Sequence, residues 1–261
     1  MPVLGRPRFR IALAALILFA AVVTPLLAAE GGAMPAAQST PPYILIGFVG
    51  GFVRHDNAHH GPVQFAERSR QWLPKDAHLQ MFENRHRKAA FRAIVRLLDS
   101  NHDGVLSAEE KSQARIILFG HSWGAAAAVM LARELNRARI PVLLTVQVDS
   151  IAKPWDRDGV IPENVAEAVN FYQPHGILHG RTEIRAADES RTQILGNYRV
   201  DYKQAPVQCE GYPWLDRTFT RDHMQSDCDP KMWQEVENLV RQRIEMAPSM
   251  ATAVPSSQPH P

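Results

Sequence analysis

Apolar residues in this chain fall into two kinds of run. Some are short and unbroken; in others the apolar positions recur at helical spacing. Tyr43-Ile44-Leu45-Ile46, Ile116-Ile117-Leu118-Phe119, residues 141–148 (PVLLTVQV) and residues 165–172 (VAEAVNFY) are of the first kind and predict strands. PVLLTVQV is apolar on both faces, as a central parallel strand requires. Residues 77–82 alternate loosely and predict another strand. Residues 62–72, with proline in the first turn, and residues 86–98 predict helices. The second of these gathers Ala90, Phe91, Ile94, Val95 and Leu98 on one face and leaves Arg87, Lys88, Arg92 and Arg96 solvated. An alanine-rich helical run follows Gly124 to about Arg139. A last amphipathic helix begins at Asp229-Pro230, with Trp233, Val236, Leu239, Val240 and Ile244 on one side. Strands alternating with helices predict an α/β domain with a mostly parallel central sheet. Residues 194–200 read as strand or loop. The polar stretch 218–229 reads as a loop, and 173–208 is too rich in polar and turn residues to assign.

The ends read differently from the middle. Arg6, Arg8 and Arg10 precede an apolar run over residues 11–23, and Leu27-Ala28-Ala29 offers a small-residue cleavage site, so residues 1–29 are expected to be a secretory leader. Residues 30–42 form a polar linker, 43–246 the folded domain, and 247–261 a Pro- and Ser-rich tail expected to be disordered. Removing 29 of the 261 residues leaves 232, enough for one sizeable core. The three leader arginines go too, and the formal charge falls from +2 to −1. No nucleic-acid partner is therefore expected, nor stable membrane insertion once the leader is cut. Cys209 and Cys228, the only cysteines, are expected to pair in an exported chain. Closing the 18 residues between them is worth roughly 3 kcal/mol of unfolded-state entropy.

Two stretches carry chemistry. The strand at 116–119 runs directly into Gly120-His121-Ser122-Trp123-Gly124 and then into helix. G-x-S-x-G in that context forces a sharp turn that lifts the Ser122 hydroxyl above the sheet. Glycine at 120 and 124 lets strand and helix approach closely, and the Trp123 amide falls at a helix N-terminus, aimed at a developing oxyanion. The second stretch, residues 99–110 (DSNHDGVLSAEE), fits D-x-[DN]-x-[DN]-G-x₅-E in full. Asp99, Asn101 and Asp103 would offer side-chain oxygens, Val105 its carbonyl, Ser107 a water-mediated contact and Glu110 a bidentate carboxylate to Ca²⁺. Such a structural calcium ion would sit at the end of the sheet away from Ser122. His55, Asp56, His59 and His60 match no compact zinc signature and are expected to form a solvated loop beside the substrate.

On these residues the chain resembles the α/β-hydrolase superfamily over most of 43–246. The strand leading to Gly47-Phe48, the G-x-S-x-G elbow, Asp149 at the end of the following strand and His223 before the last helix carry the likeness, in the order Ser, Asp, His. The resemblance implies an α/β-hydrolase fold, with Ser122 as nucleophile, His223 as general base, Asp149 as its orienting acid, and the Trp123 and Phe48 amides (Val49 as alternative) as oxyanion donors. His175, His179 and Asp188 are the rival catalytic candidates. No redox cofactor is implied. The substrate would be a small-molecule or lipid ester. The same triad serves thioesters and amides, and a non-catalytic, calcium-dependent binding protein on this scaffold is the competing reading. Oligomeric state is not legible.

Overall fold

The computed structural model of the protein describes residues 41–212 and 220–251. The expected leader at 1–29, the linker up to residue 40 and residues 252–261 of the tail lie outside the described residues. Six strands form one sheet: β1 (Tyr43–Val49), β2 (His78–Glu83), β3 (Arg115–His121), β4 (Val142–Val148), β6 (Val165–Tyr172) and β8 (Gln193–Arg199). Their order is β2-β1-β3-β4-β6-β8, and every neighbouring pair is parallel. Two short strands, β5 (Val160–Ile161) and β7 (Arg185–Ala186), pair separately. The helices are α1 (Gly61–Ser69), α2 (Arg87–Leu98), α3 (Ala108–Ser112), α4 (Trp123–Arg137), α5 (Arg221–Cys228) and α6 (Pro230–Ala251). This is the α/β architecture expected from the sequence, a mostly parallel central sheet flanked by helices. None of the helices among the described residues is long and apolar enough to cross a membrane.

Strand alternation builds two cores. Ile44, Ile46, Phe48, Ile116 and Leu118 face one side of the sheet and pack with Ile94 of α2 and Leu131 of α4. Tyr43, Leu45, Val49, Ile117 and Phe119 face the other and pack with Phe65 of α1 and Trp233 and Val236 of α6. With both faces covered, the central strands have no solvated side, which is why their sequences are unbroken apolar runs.

Several boundaries differ from those expected. Helix α6 continues to Ala251, past the domain end expected at 246. The ambiguous stretch near 194–200 is strand β8. The polar stretch before the last helix is not a loop throughout: residues 221–228 form helix α5, with His223, Gln225, Ser226 and Asp227 buried. Its polar side chains face inward to a polar site, so the usual link between polarity and exposure fails there. Strand β1 runs through Gly47 to Val49, so Gly47 does not open a loop. A Cβ at Gly47 would lie 2.3 Å from Met81 Sδ and 2.4 Å from the Phe119 ring, so glycine here makes room for core side chains. Cys209 and Cys228 are disulfide-bonded, joining the chain after β8 to the end of α5.

The turn from β3 into α4 depends on missing side chains. A Cβ at Gly120 would meet the Gly124 carbonyl at 2.5 Å, and one at Gly124 would meet the Phe48 carbonyl oxygen at 2.3 Å and the Val49 oxygen at 2.8 Å. All of these are backbone atoms and cannot rotate away. Gly124→Ala should therefore destabilise the fold by roughly 1–3 kcal/mol through overpacking, despite alanine's helix preference of about 1 kcal/mol over glycine. A urea midpoint equal to or above wild type would show that the close approach is not needed.

Candidate active site

The site stands at the carboxyl ends of the strands. Ser122 follows β3 with φ 58° and ψ −128°, a left-handed backbone that non-glycine residues rarely adopt. Its amide donates to the Val148 carbonyl at 3.0 Å, and its carbonyl accepts from Ala125 at 3.0 Å, so β4 and α4 hold the strained residue from two sides. Asp149 follows β4, also with positive φ (44°), and its amide donates to the Phe171 carbonyl at 2.7 Å. His223 comes from the first turn of α5. These three residues, far apart in sequence, form one hydrogen-bonded chain. The Ser122 hydroxyl donates to His223 Nε2 at 2.9 Å, and His223 Nδ1–H donates to Asp149 Oδ2 at 2.6 Å. That tautomer satisfies both contacts and leaves Nε2 as the proton acceptor.

Asp149 is fully buried. Besides His223 it accepts from the Gln173 amide (3.2 Å), Gln173 Nε2 (3.0 Å) and the Gly180 amide (2.7 Å). Burial pushes the carboxyl upward, but the His223 hydrogen bond and charge, with Gln173, outweigh it and hold the pKa below the ordinary value. A Cβ at Gly180 would lie 2.3 Å from Asp149 Oδ1, so only glycine brings its amide this close. Arg181 anchors the segment: its amide donates to the Ser150 carbonyl (2.8 Å), and its guanidinium pairs with buried Asp158 (2.6 Å), which also accepts from the Ser150 hydroxyl (2.6 Å).

A second polar network lies beside the first. The His121 ring stacks on His223 with centroids 4.6 Å apart, and its Nε2 meets Ser226 Oγ at 3.1 Å. Its Nδ1 lies 3.7 Å from Asp227, too far for a hydrogen bond. Buried Asp227 accepts from the Gly61 amide (3.1 Å), the Tyr212 hydroxyl (3.0 Å) and His60 Nδ1. Burial drives the His121 pKa down to about 4, only partly offset by the nearby Asp227 charge, so this imidazole is neutral at pH 7. The Asp227 carboxyl is held down: burial opposes ionisation, and the His121 and His60 contacts outweigh it.

A cavity of about 490 Å³ opens on Ser122 and His223. Phe52, Val53, Trp123, Leu178 and Met224 give it apolar wall, and Asn57, His59, His60 and Tyr212 give it polar wall. The turn Gly50–Val53, closed by a Val53 amide to Gly50 carbonyl bond of 3.2 Å, forms its rim beside Ser122. Buried Asn84 fixes this turn by donating to the Gly51 carbonyl at 2.6 Å, and accepts in turn from Lys153 Nζ at 2.6 Å.

Of the expected site residues, the structure brings Ser122, Asp149, His223 and Trp123 together. Phe48 is not with them. It lies inside β1, in register with Phe82 on one side and Gly120 on the other, and Val49 is still strand. The residues of that segment that reach the cavity are Gly50 to Val53. The rival candidates lie elsewhere: His175 pairs with Asp201 at 3.1 Å, His179 contacts the Gly180 carbonyl, and Asp188 caps an exposed turn through Ser190. His55 pairs with Glu83 (3.0 Å) while His60 pairs with Asp227, so the histidines of 55–60 do not converge. Among the described residues, one set of metal-type ligands lies within 4.8 Å: His121, Asp149 and His223. Both His223 nitrogens are already committed, to Ser122 and to Asp149, so an ion there would have to break that chain. Gln173, Gly180, Asn84 and Asp227 are the functional neighbours that sequence reasoning missed. Of these, only Asp227, a buried acid in a short polar stretch beside His223, carried a local signal.

No protein-family model matches the chain, and no curated protein does. Solved structures do resemble it. Human thioesterase 2 is 12% identical, with 80% of this chain and 98% of that one covered and a TM-score of 0.38. RedJ, solved with a polyethylene glycol molecule in its active site, is also 12% identical, with 72% and 90% covered and a TM-score of 0.37. A protein from Xanthomonas campestris, described as a hydrolase of the α/β superfamily, is 11% identical, with 77% and 99% covered and a TM-score of 0.35.

The second network predicts acid sensitivity. His121 titrates near 6.5 when unfolded and near 4 when folded. Between those values the unfolded chain binds the extra proton, so stability must fall as pH drops through this window. Melting temperature should decline from pH 6.5 to pH 4, and His121→Gln should flatten that decline. An equally steep decline in the variant would place the effect on other groups.

Proposed function

We propose that this chain is an exported serine hydrolase that cleaves carboxylic esters through an acyl-enzyme. The observation that carries the reading is the unbroken chain from Ser122 through His223 to Asp149, built at a strained strand-to-helix turn and opening on a cavity. In the proposed reaction Ser122 Oγ adds to the ester carbonyl while its proton passes to His223 Nε2. Asp149 holds the ring in place and stabilises the imidazolium. The carbonyl oxygen becomes an oxyanion beside the Trp123 amide at the start of α4. The second donor is assigned to the Gly51 or Phe52 amide, the two central amides of the Gly50–Val53 turn, in place of Phe48. One such donor is typically worth about 3 kcal/mol in the transition state. Collapse of the tetrahedral intermediate expels the alcohol, which takes the proton from His223, and leaves the acyl group on Ser122. Water then adds to that ester with His223 as base, releasing the acid and restoring Ser122.

The cavity walls bear on the substrate. Apolar Phe52, Trp123 and Leu178 beside polar Asn57, His59 and Tyr212 suit an ester with one apolar and one polar side. Export is supported by the leader-like residues 1–29 and by the Cys209–Cys228 disulfide.

The test is labelling with a fluorophosphonate probe, together with turnover of matched p-nitrophenyl ester, thioester and anilide substrates. Wild type should label at one serine and turn over the ester fastest. Ser122→Ala should lose both activities while its melting temperature stays close to wild type. Residual turnover in that variant, or a folded wild type that does not label, would end the nucleophile assignment.

A further inference from the structure

The loop joining α2 to α3 takes no part in the site above. Asp99, at the end of α2, is nine-tenths buried (9% exposed). One of its carboxylate oxygens, Oδ2, accepts the Gly104 amide at 3.0 Å, which turns the group toward the inside of the loop. The other, Oδ1, is buried with no hydrogen-bond partner among the described residues. An unmet buried acceptor is costly, and more so when charged. Such an oxygen calls for a cation. Around it the backbone is wound tightly, with positive φ at His102 (59°) and Gly104 (81°). Asn101 Oδ1 accepts the Asp103 amide (3.0 Å) and Asp103 Oδ1 the Val105 amide (2.8 Å), which orders both side chains along the loop.

We propose that residues 99–110 form a calcium site, with Asp99 Oδ1, the side-chain oxygens of Asn101 and Asp103 and the Val105 carbonyl as ligands, and with Glu110 as the ligand that must turn. All of these are hard oxygen donors, which suit Ca²⁺ better than transition metals. Glu110 is already committed. Its Oε1 accepts from the Ser100 amide and hydroxyl, both at 2.8 Å, and its Oε2 from the Ser107 amide (2.9 Å) and hydroxyl (3.0 Å). These contacts, with the Ser107 capping box, hold the carboxylate at the start of α3. Calcium must compete with Ser100 and Ser107 for it. That competition places the affinity in the weak range of extracellular modules, about 10⁻⁴–10⁻³ M, rather than in the sensor range. The site lies just before the start of β3, at the opposite end of that strand from Ser122, so the ion acts on stability and not on the chemistry.

Calorimetric titration of the purified chain with CaCl₂, paired with melting curves in calcium and in EDTA, tests this. One ion should bind per chain, and about 10 mM calcium should raise the melting temperature by about 3–10 °C. Asn101 is exposed, so Asn101→Ala should fold normally and melt as wild type in EDTA, yet bind calcium at least about tenfold more weakly. Serine labelling should be the same with and without the ion, which keeps this result separate from the hydrolase reading. Absence of saturable binding at about 10 mM calcium, or binding untouched by Asn101→Ala and Asp103→Ala alike, overturns the site.

Discussion

A carboxylate with no access to water must find its hydrogen bonds in the protein, and Asp149 imposes that demand on everything near it. An isolated buried charge would cost several kcal/mol. Here two backbone amides, one side-chain amide and one imidazole meet it. Together these donors recruit three different parts of the chain. Gln173 brings the end of β6, Gly180 brings the segment beyond it, and His223 brings α5. The Arg181–Asp158 pair then holds Gly180 in place from the far side. The order around Ser122 is thus largely the result of satisfying one acid behind it.

The same logic repeats at Asp227. Its partners come from the start of α1, from Tyr212 and from His60, so this second acid ties the segment before α1 to α5. Two adjacent anions with separate donor sets leave His121 between them, stacked on His223 and too buried to carry charge. A neutral His121 is what the arrangement needs. In the proposed reaction, a second imidazolium against His223 would oppose the proton that Ser122 hands over.

These polar networks also mark the limit of what the sequence makes legible. The central strands could be read because their surroundings are apolar: every residue of β1 is buried, and β3 is buried from Ile116 on. The elbow could be read because one local turn needs glycine on both sides of Ser122. His223 was legible from its position before the last helix, but the helix that carries it was not, since α5 turns its polar residues inward. Phe48 was misplaced for a related reason. Gly47 looks like the start of a loop, whereas it is glycine because Met81 and Phe119 occupy the space of a side chain. Gln173 and Gly180 had no signal at all. Their role is fixed by distance to Asp149, which only the folded chain defines.

The all-parallel sheet has a consequence for how such a site comes into being. Parallel strands cannot be joined by tight hairpins, so every pairing spans a crossover, and long-range closure is slow. The site follows the same pattern: its serine and histidine are 101 positions apart, and α5 lies close to the C-terminal end of the described fold. A nascent chain that has made the elbow and the first strands still lacks its base. On the proposed reading, reactivity would therefore arrive last, after nearly the whole domain has been synthesised and docked, and a labelled serine would report completed folding as much as catalysis.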